Sequence, residues 1–392
     1  MKKIIGYFLI FISIIVVLFV LYKNSNYTKK QQTFSTYTVL ASTWDKYKAQ
    51  FINNDGRVVD NSQGGITTSE GQSYALLRAV WTGDNAEFDK VWTFTEQNLK
   101  RPDDNLFGWR WGKKPDGSYG FIGKGDQNSA ADADTDIALA LILASRRFHN
   151  DEYKSNAQKI LTDMWRDETA VVNGKRYLIA GNWASNSQEI IVNPSYFAPY
   201  AWRVFAEVDS DHDWDSLVDP AYTLLNEVGQ SPLDKGKGVG LPPDWVAIER
   251  IDGSLKASTI SGLSTNYGFD AMRVPFRVAL DWEWFHDLQA KDYLSKSYTF
   301  LVDDFKKRDK LSSTYAHDGS IVNDNESPSM YATSLGFFML ADPTDAKTIY
   351  QQKVIKLYSN DTNSFVNSVQ YYDQNWLWFG AALYNHQLIL YH

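Results

Sequence analysis

Residues 66–81 read ITTSEGQSYALLRAVW and have the spacing of a buried helix. Glu70, Tyr74, Leu77 and Trp81 recur every three or four residues, so they share one helix face. A glutamate on an apolar face is unfavourable unless it is paired or functional. Acidic residues are also common in the first turn of a helix, where they stabilise its terminus. The stretch therefore predicts a helix that starts near Glu70 and leaves both interpretations of Glu70 open.

The same helical spacing recurs along the rest of the chain. Trp44, Tyr47 and Phe51 follow a helix-start signal at Ser42. Further helices are predicted around residues 134–148, 197–205, 278–285, 330–340 and 376–390. Alternating strand patterns are scarce, and no second low-complexity stretch interrupts these segments. The sequence thus predicts a single all-α domain over residues 42–392.

The N-terminus has the composition of a membrane anchor. Lys2 and Lys3 precede an uncharged run over residues 4–22, which at roughly 1.5 Å per residue nearly spans a ~30 Å hydrocarbon core. A cleaved signal peptide has a shorter apolar run and a small-residue cleavage site, and no such site follows here. We expect residues 1–22 to form one transmembrane helix in the cell membrane and residues 23–41 to be a polar tether to an extracellular domain. A cleaved signal is the alternative.

The composition excludes several classes of function. The net charge of −8 opposes binding to nucleic acid, because phosphate backbones are bound by clustered Lys and Arg. There is no Cys and no HExxH, Gly-x-Ser-x-Gly or nucleotide-binding glycine pattern, so neither a metal nor a cofactor is predicted. The aromatic share of 15% suggests a carbohydrate groove or, alternatively, an aromatic-rich core. Long loops at residues 103–125 and 235–245 are able to form one face of such a groove.

The segment ADADTDI, residues 131–137, places several carboxylates close together. Its spacing fits the start of a calcium-binding loop, but Ile137 and Leu143 stand where such a loop needs Gly and Glu. A metal site is therefore not predicted. Asp134 lies on the apolar face of the following helix, so it is either an interior carboxylate or one that faces a ligand. Asp136 is expected to be solvated.

Asp270 lies in the segment YGFDAMRVPFR, residues 267–277. The proline in this segment favours the first turn of a helix, which leaves Asp270 in the loop or cap just before it. Arg273 and Arg277 would hold Asp270 ionised, as a general base requires. An N-cap aspartate with salt bridges is the alternative. Glu70 and Asp270 together would supply the acid and the ionised carboxylate that cleavage of a glycosidic bond requires.

Several segments, in order along the chain, resemble the motifs of glycoside hydrolase family 8, a group of bacterial endoglucanases, chitosanases and xylanases. They are TSEGQSY at 68–74, WRWG at 109–112, residues 132–148, NPSY at 193–196 and DAMRVPFR at 270–277. The resemblance covers roughly residues 42–385. It implies an (α/α)6 barrel and an inverting mechanism, without a metal or cofactor, on a β-1,4-linked polysaccharide.

The resemblance also implies roles for individual residues. Glu70 would be the general acid and Asp270 the general base. Asp132 or Asp134 would hold the sugar at the cleavage point. Tyr196 would help to position the attacking water.

The resemblance further favours an endo-acting enzyme on a cellulose-type β-1,4-glucan. Trp109 and Trp111 would stack on sugar rings, and Arg273 completes the expected substrate-binding residues. The anchor favours a polysaccharide exported by the same cell, and we expect a monomer. A xylanase or chitosanase is the alternative within the family. A non-catalytic glycan-binding protein is the alternative outside it, although binding alone would not need both Glu70 and Asp270.

Overall fold

Helices form most of the molecule. The computed structural model describes residues 36–366 and 368–392. Its α-helices are α1 (Thr36–Phe51), α2 (Ser69–Thr82), α3 (Asn85–Asn98), α4 (Ala131–Phe148), α5 (Asp151–Asp167), α6 (Pro199–Val208), α7 (Val218–Gln230), α8 (Val274–Phe285), α9 (Leu288–Lys296), α10 (Thr299–Arg308), α11 (Pro328–Ala341), α12 (Pro343–Ile349) and α13 (Tyr371–Tyr384). The predominantly helical class predicted from the sequence is confirmed for these residues.

Alternate helices form an inner ring in the described part of the chain. Helices α2, α4, α6, α8, α11 and α13 follow one another around this ring, each in contact with the next. Tyr74 of α2 closes the ring, because its side chain packs edge-on against Trp376 and Phe379 of α13. The intervening helices α1, α3, α5, α7, α9, α10 and α12 pack around the outside. This alternation is the double ring of an α/α barrel.

The inner helices are apolar on nearly every side, as expected of helices surrounded by other helices. In α11 every residue from Ser329 to Phe338 is buried. Gly380 lets α13 approach α11 closely, since a Cβ at this position would lie 2.4 Å from the backbone oxygen of Ala332. Close packing of the inner ring therefore depends on small residues at the helix contacts.

Short strands lie in the loops that lead to the N-terminal ends of the inner helices. They are β1 (Thr67–Thr68), β2 (Arg110–Lys113), β3 (Tyr119–Phe121), β4 (Thr169–Val172), β5 (Lys175–Leu178), β6 (Glu189–Val192), β7 (Val246–Glu249), β8 (Leu255–Lys256), β9 (Thr314–Tyr315), β10 (Ile321–Asn323), β11 (Tyr358–Ser359) and β12 (Ser364–Phe365). Two antiparallel sheets have three strands each, in the orders β1-β2-β3 and β6-β7-β8. These loops surround the end of the barrel where the positive ends of the inner helix dipoles converge.

The first helix begins earlier than the sequence predicts. The start signal at Ser42 lies inside α1, which begins at Thr36. Val39 and Leu40 are buried, and the Leu40 backbone oxygen accepts the Trp378 indole N–H at 3.0 Å. The predicted tether is therefore too long at its C-terminal end, because these apolar residues pack against α13.

The predicted membrane anchor, residues 1–22, lies outside the described residues. Within residues 36–366 and 368–392, none of the helices has both the length and the apolar character needed to span a membrane.

Candidate active site

Glu70 lies in the first turn of α2, as predicted. Thr68 is the N-cap, and its Oγ1 accepts the Gly71 N–H at 3.0 Å. The Ser69 N–H donates to the backbone oxygen of Trp109 at 3.1 Å, which ties the start of α2 to the loop before β2. The Glu70 side chain retains 28% of its exposure and reaches the cleft. A cap in the local sequence thus fixes the position of this carboxylate.

Arg273 binds the carboxylates of three separate segments. Its Nη1 donates to Glu70 Oε2 at 2.6 Å and to Asp132 Oδ2 at 2.9 Å. Its Nη2 donates to Asp270 Oδ1 at 2.5 Å. Only 1% of the Arg273 side chain is exposed, whereas Asp270 retains 33%. The rigid, planar guanidinium therefore fixes the relative positions of the three acids.

Burial and neighbouring negative charges raise the pKa of Glu70 above its ordinary value. Burial raises the pKa of Glu70 to about 7, Arg273 opposes this rise, and the charges of Asp132 and Asp270 add to it. Burial also raises the pKa of Asp270, with Arg273 acting in the opposite direction. Arg273 therefore contacts Asp270 as predicted, but burial outweighs its effect on the pKa.

Arg277 does not take part in this cluster, contrary to the prediction that it would hold Asp270 ionised. Its two terminal nitrogens donate to Asp136 at 2.8 and 2.9 Å. The prediction of a solvated Asp136 is also wrong, because this side chain is buried against Arg277. The buried pair joins α4 to α8 and has a structural role.

Asp134 is not at the cleft, so the substrate contact predicted for it is corrected. The side chain is fully buried, and its Oδ1 accepts the Phe107 N–H at 3.0 Å. Burial and the charge of Glu168 raise the pKa of Asp134 well above its ordinary value. Of the two aspartates implied to hold the sugar, Asp132 alone contacts Arg273 in the described structure.

The two tryptophans of the WRWG segment have different environments. Trp109 is 37% exposed, and its indole N–H donates to the Gly125 backbone oxygen at 3.1 Å. Trp111 is only 8% exposed, with Tyr119 stacked on it at 5.3 Å and Arg57 4.8 Å from its ring centroid. Trp109 remains a candidate for sugar stacking. The same prediction for Trp111 is corrected, since packing covers its ring.

Tyr196 lies beside the carboxylate cluster, and its predicted role in positioning water stays a prediction. The Arg273 guanidinium is 5.4 Å from its ring centroid, and the Trp245 ring packs edge-on at 5.9 Å. Burial and the negative charges of Asp132 and Asp270 raise the pKa of Tyr196 well above its ordinary value. Its hydroxyl therefore stays protonated and can donate a hydrogen bond.

The cleft also contains residues that the sequence interpretation missed. A cavity of about 410 Å³ is lined by Asp60, Glu70, Asp244, Asp270, Thr314 and Tyr372, among others. The Tyr372 hydroxyl donates to the Phe269 backbone oxygen at 2.8 Å, and both residues line this cavity with Glu70. Asp244 lies in the loop at 235–245 that was expected to form a cleft face. No local pattern distinguishes Tyr372, which belongs to a largely buried helix.

Comparison with known proteins agrees with this architecture. The family model of glycosyl hydrolases family 8 matches residues 20–380. An endoglucanase from Cellulomonas uda is 32% identical over 240 residues, which are 61% of this chain and 63% of that protein. Endoglucanase A from Acetivibrio thermocellus is 29% identical over 327 residues, which are 81% and 64% of the two chains. This chain thus spans slightly less than two thirds of either relative.

A solved structure gives the same result for the fold. The endo-1,4-D-glucanase from Vibrio fischeri ES114 superposes with a TM-score of 0.74 and 28% identity, over 88% of this chain and 94% of that one. The family model covers nearly the whole domain. Glu70 and Asp270 of the carboxylate cluster line the cleft of this domain. The chain therefore belongs to glycosyl hydrolase family 8.

Proposed function

We propose that this protein is an inverting, endo-acting β-1,4-glucanase in which Glu70 is the general acid and Asp270 the general base. The observation that carries this proposal is the single Arg273 guanidinium bound to Glu70, Asp132 and Asp270 at an open cleft. Inverting glycosidases need two carboxyl groups with space for a water between them. Glu70 and Asp270 bind different terminal nitrogens of this guanidinium, and both line the cleft.

Glu70 is suited to donate a proton. With a pKa of about 7, a substantial fraction of Glu70 is protonated near neutral pH. Its Oε2 accepts a hydrogen bond from Arg273, which leaves the other oxygen to carry the proton. That proton passes to the leaving glycosidic oxygen as its bond to the anomeric carbon breaks.

Asp270 is suited to activate water. Its Oδ1 accepts a hydrogen bond from Arg273, and the carboxylate lines the cleft, where it can take a proton from the attacking water. The water oxygen bonds to the anomeric carbon on the face opposite the leaving group, so the configuration inverts. Tyr196 supplies a protonated hydroxyl close to the same carboxylates, and Asp132 supports the sugar at the cleavage point.

The substrate is proposed from the resemblance and from the endoglucanase relatives. Release of reducing ends by full-length protein in mild detergent should be fastest on amorphous cellulose or carboxymethylcellulose, compared with xylan and chitosan. A higher rate on xylan or chitosan would assign the enzyme to the alternative specificity. Binding to glucan without any hydrolysis would favour the non-catalytic alternative.

The stereochemistry is a separate test of the mechanism. An inverting enzyme converts a β-linked chain first into an α-anomeric product. Proton NMR of a cello-oligosaccharide digest in the first minutes should therefore detect the α-anomer ahead of mutarotation. Initial formation of the β-anomer would mean a retaining mechanism and would exclude Asp270 as a base acting on water.

We further propose that residues 1–22 anchor the enzyme in the cell membrane, with a monomeric catalytic domain outside the cell. The support is the uncharged run at residues 4–22. An enzyme held there is suited to trim a polysaccharide that its own cell exports. Membrane fractionation should recover the full-length chain, and protease added to intact cells should digest the domain. Mature protein in the medium with an N-terminus between residues 25 and 42 would establish a cleaved signal instead.

A further inference from the structure

Asp244 binds the backbone of the segment that presents Asp270. It lies just before β7 and is buried. Its Oδ1 accepts the backbone N–H groups of Gly268, Asp270 and Ala271 at 3.1, 3.2 and 2.8 Å. Its Oδ2 accepts the Ser264 hydroxyl at 3.4 Å. One carboxylate oxygen therefore holds three donors of a single turn.

These bonds leave Asp270 without a capping role. Asp270 precedes the short 3-10 helix Ala271–Arg273, where an aspartate commonly folds back onto the first N–H groups. Here the Asp270 side chain makes no such bond. The N–H groups of Met272 and Arg273 donate to backbone oxygens, and Asp244 accepts those of Asp270 and Ala271. The Asp270 carboxylate binds Arg273 through Oδ1 and lines the cleft.

Elsewhere in this protein, an aspartate side chain does accept the backbone N–H of the residue that follows it. In the first turn of α4, Asp132 Oδ1 accepts the N–H of the next residue, Ala133, at 2.9 Å. An aspartate in a helical first turn thus does fold onto its neighbour in this protein. Asp270 would have the same partner in Ala271 if Asp244 did not occupy it.

Gly268 permits the close approach of Asp244. A Cβ at position 268 would lie 2.7 Å from Asp244 Oδ2, which is nearer than non-bonded atoms normally come. A side chain there would displace the Asp244 carboxylate from the turn. The contact therefore depends on a residue in each of the two segments.

We infer that Asp244 is a positioning residue, which accepts the N–H groups around Asp270 and so keeps the Asp270 carboxylate directed at the cleft. This inference rests on the proposed role of Asp270 as general base. Either charge state of Asp244 can perform the task, because a carbonyl oxygen of the neutral acid also accepts N–H donors. An asparagine offers the same oxygen, and its amide nitrogen can donate to Ser264.

The test compares Asp244→Asn with Asp244→Ala in the full-length protein, using hydrolysis of a soluble β-1,4-glucan. Displacement of a reacting group by about 1 Å costs on the order of 10²-fold in rate. Asp244→Ala should therefore lower kcat about 10²-fold with little change in KM, and Asp244→Asn should retain most of the wild-type kcat. The exposed Asp252, which accepts the Ser254 N–H in the β7–β8 turn, is the matched control, and Asp252→Ala should behave as wild type.

A double-mutant cycle separates positioning from a general loss of stability. In Asp270→Asn no general base is left to position, so adding Asp244→Ala to that variant should lower kcat little further. Gly268→Ala leaves every carboxylate in the chain and should lower kcat in the same way, which keeps the test available if Asp244→Ala does not fold. Multiplicative losses in the cycle, wild-type kcat in Asp244→Ala, or failure of Asp244→Asn to restore activity would each overturn the inference.

A crystal structure of the Asp244→Ala variant provides a readout that does not depend on activity. One Asp270 carboxylate oxygen should turn from its wild-type position in the cleft and accept the Ala271 N–H, as Asp132 Oδ1 accepts the Ala133 N–H. An unmoved Asp270 would refute the inference even if kcat falls. By contrast, a wild-type protein that hydrolyses no β-1,4-glucan, or full activity in Asp270→Asn, would refute the proposed function and not this structural role.

Discussion

Arg273 Nη1 lies 2.6 Å from Glu70 Oε2, within a cluster where one cation faces three carboxylates. This contact favours the ionised form of Glu70, whereas burial and the neighbouring acids favour the protonated form. The second effect is the larger, which places the pKa of Glu70 at about 7. The balance is suited to an acid catalyst, since a proton can be held at neutral pH and still be released.

The decrease in kcat/KM at alkaline pH should reflect the deprotonation of Glu70. Above a pKa of about 7 the group loses its proton, so kcat/KM should fall tenfold per pH unit. Glu70→Gln should lower turnover by about 10²–10⁴-fold, the usual contribution of general acid catalysis, and should lack this decrease. Initial rates between pH 5 and 10 provide the measurement, with circular dichroism as a control for folding. A constant kcat/KM up to pH 9 would exclude Glu70 as the acid.

Loss of Arg273 should destabilise the fold in a pH-dependent manner. Arg273→Met removes a buried cation from buried Asp132 and from the partly exposed Glu70 and Asp270. Breaking a fully buried pair costs on the order of 3–5 kcal/mol, and the exposure of Glu70 and Asp270 lowers this cost. The pKa values of Glu70 and Asp270, which Arg273 lowers, should then rise further. Because protonation relieves the repulsion, the loss in the free energy of unfolding should be greatest at pH 8 and smaller at pH 5.

Urea unfolding of wild type, Arg273→Met and Arg273→Lys at both pH values is the measurement. Arg273→Lys keeps the positive charge but lacks the forked donors of the guanidinium. It should therefore recover stability without restoring kcat. An equal destabilisation by Arg273→Met at pH 5 and pH 8 would show that packing, not charge, accounts for the effect.

Trp109 and Trp111 should respond differently to truncation. Trp109→Ala removes a partly exposed ring and should weaken binding of long glucan chains by roughly 0.5–1.5 kcal/mol, with the melting temperature unchanged. Trp111→Ala opens a cavity beside Phe94 and Tyr119 and should lower the free energy of unfolding by about 3–5 kcal/mol. Isothermal titration with cello-oligosaccharides and thermal denaturation distinguish the two. The opposite pattern would place the sugar-stacking surface on Trp111.

Local signals were sufficient to predict the start of α2. Thr68 caps the helix and Glu70 lies in its first turn, and both interactions occur within a few residues of one another. The same holds for the loop that contains Asp270, where Pro275 marks the following helix. Local signals were insufficient at Ser42, because the true start of α1 depends on burial of Leu40 against a distant helix.

The errors within the site have a common physical cause. Asp134 and Asp136 look alike in the sequence, but partners from distant segments determine their environments. Asp136 binds Arg277, which lies 141 residues away in the chain, and Asp134 accepts an N–H from a loop 27 residues earlier. Helical periodicity indicates which face of α4 is buried, but it does not identify the groups that meet that face. The role of Asp244 was missed for the same reason.

The buried pair Asp134–Glu168 should make the stability of the fold depend on pH. The hydrogen bond between these two carboxyl groups requires one proton, and burial is the main cause that raises both pKa values, that of Glu168 to about 8. In the unfolded chain both groups titrate near 4. The folded form therefore retains a proton that the unfolded form releases, and its stability falls as pH rises from about 4.5 to 8. Each pKa unit is worth about 1.4 kcal/mol, so the loss should reach a few kcal/mol.

Glu168→Gln should remove most of this dependence. The glutamine amide can donate to Asp134 without binding a proton, and its oxygen can still accept the Ser129 hydroxyl, now 2.5 Å from Glu168 Oε1. The variant should match wild type near pH 5 and exceed it in the free energy of unfolding at pH 8. Urea titrations at pH 5, 6, 7 and 8 measure the difference, with the exposed Glu227→Gln of α7 as the matched control. Parallel pH curves for wild type and Glu168→Gln would mean that the pair carries no proton at neutral pH.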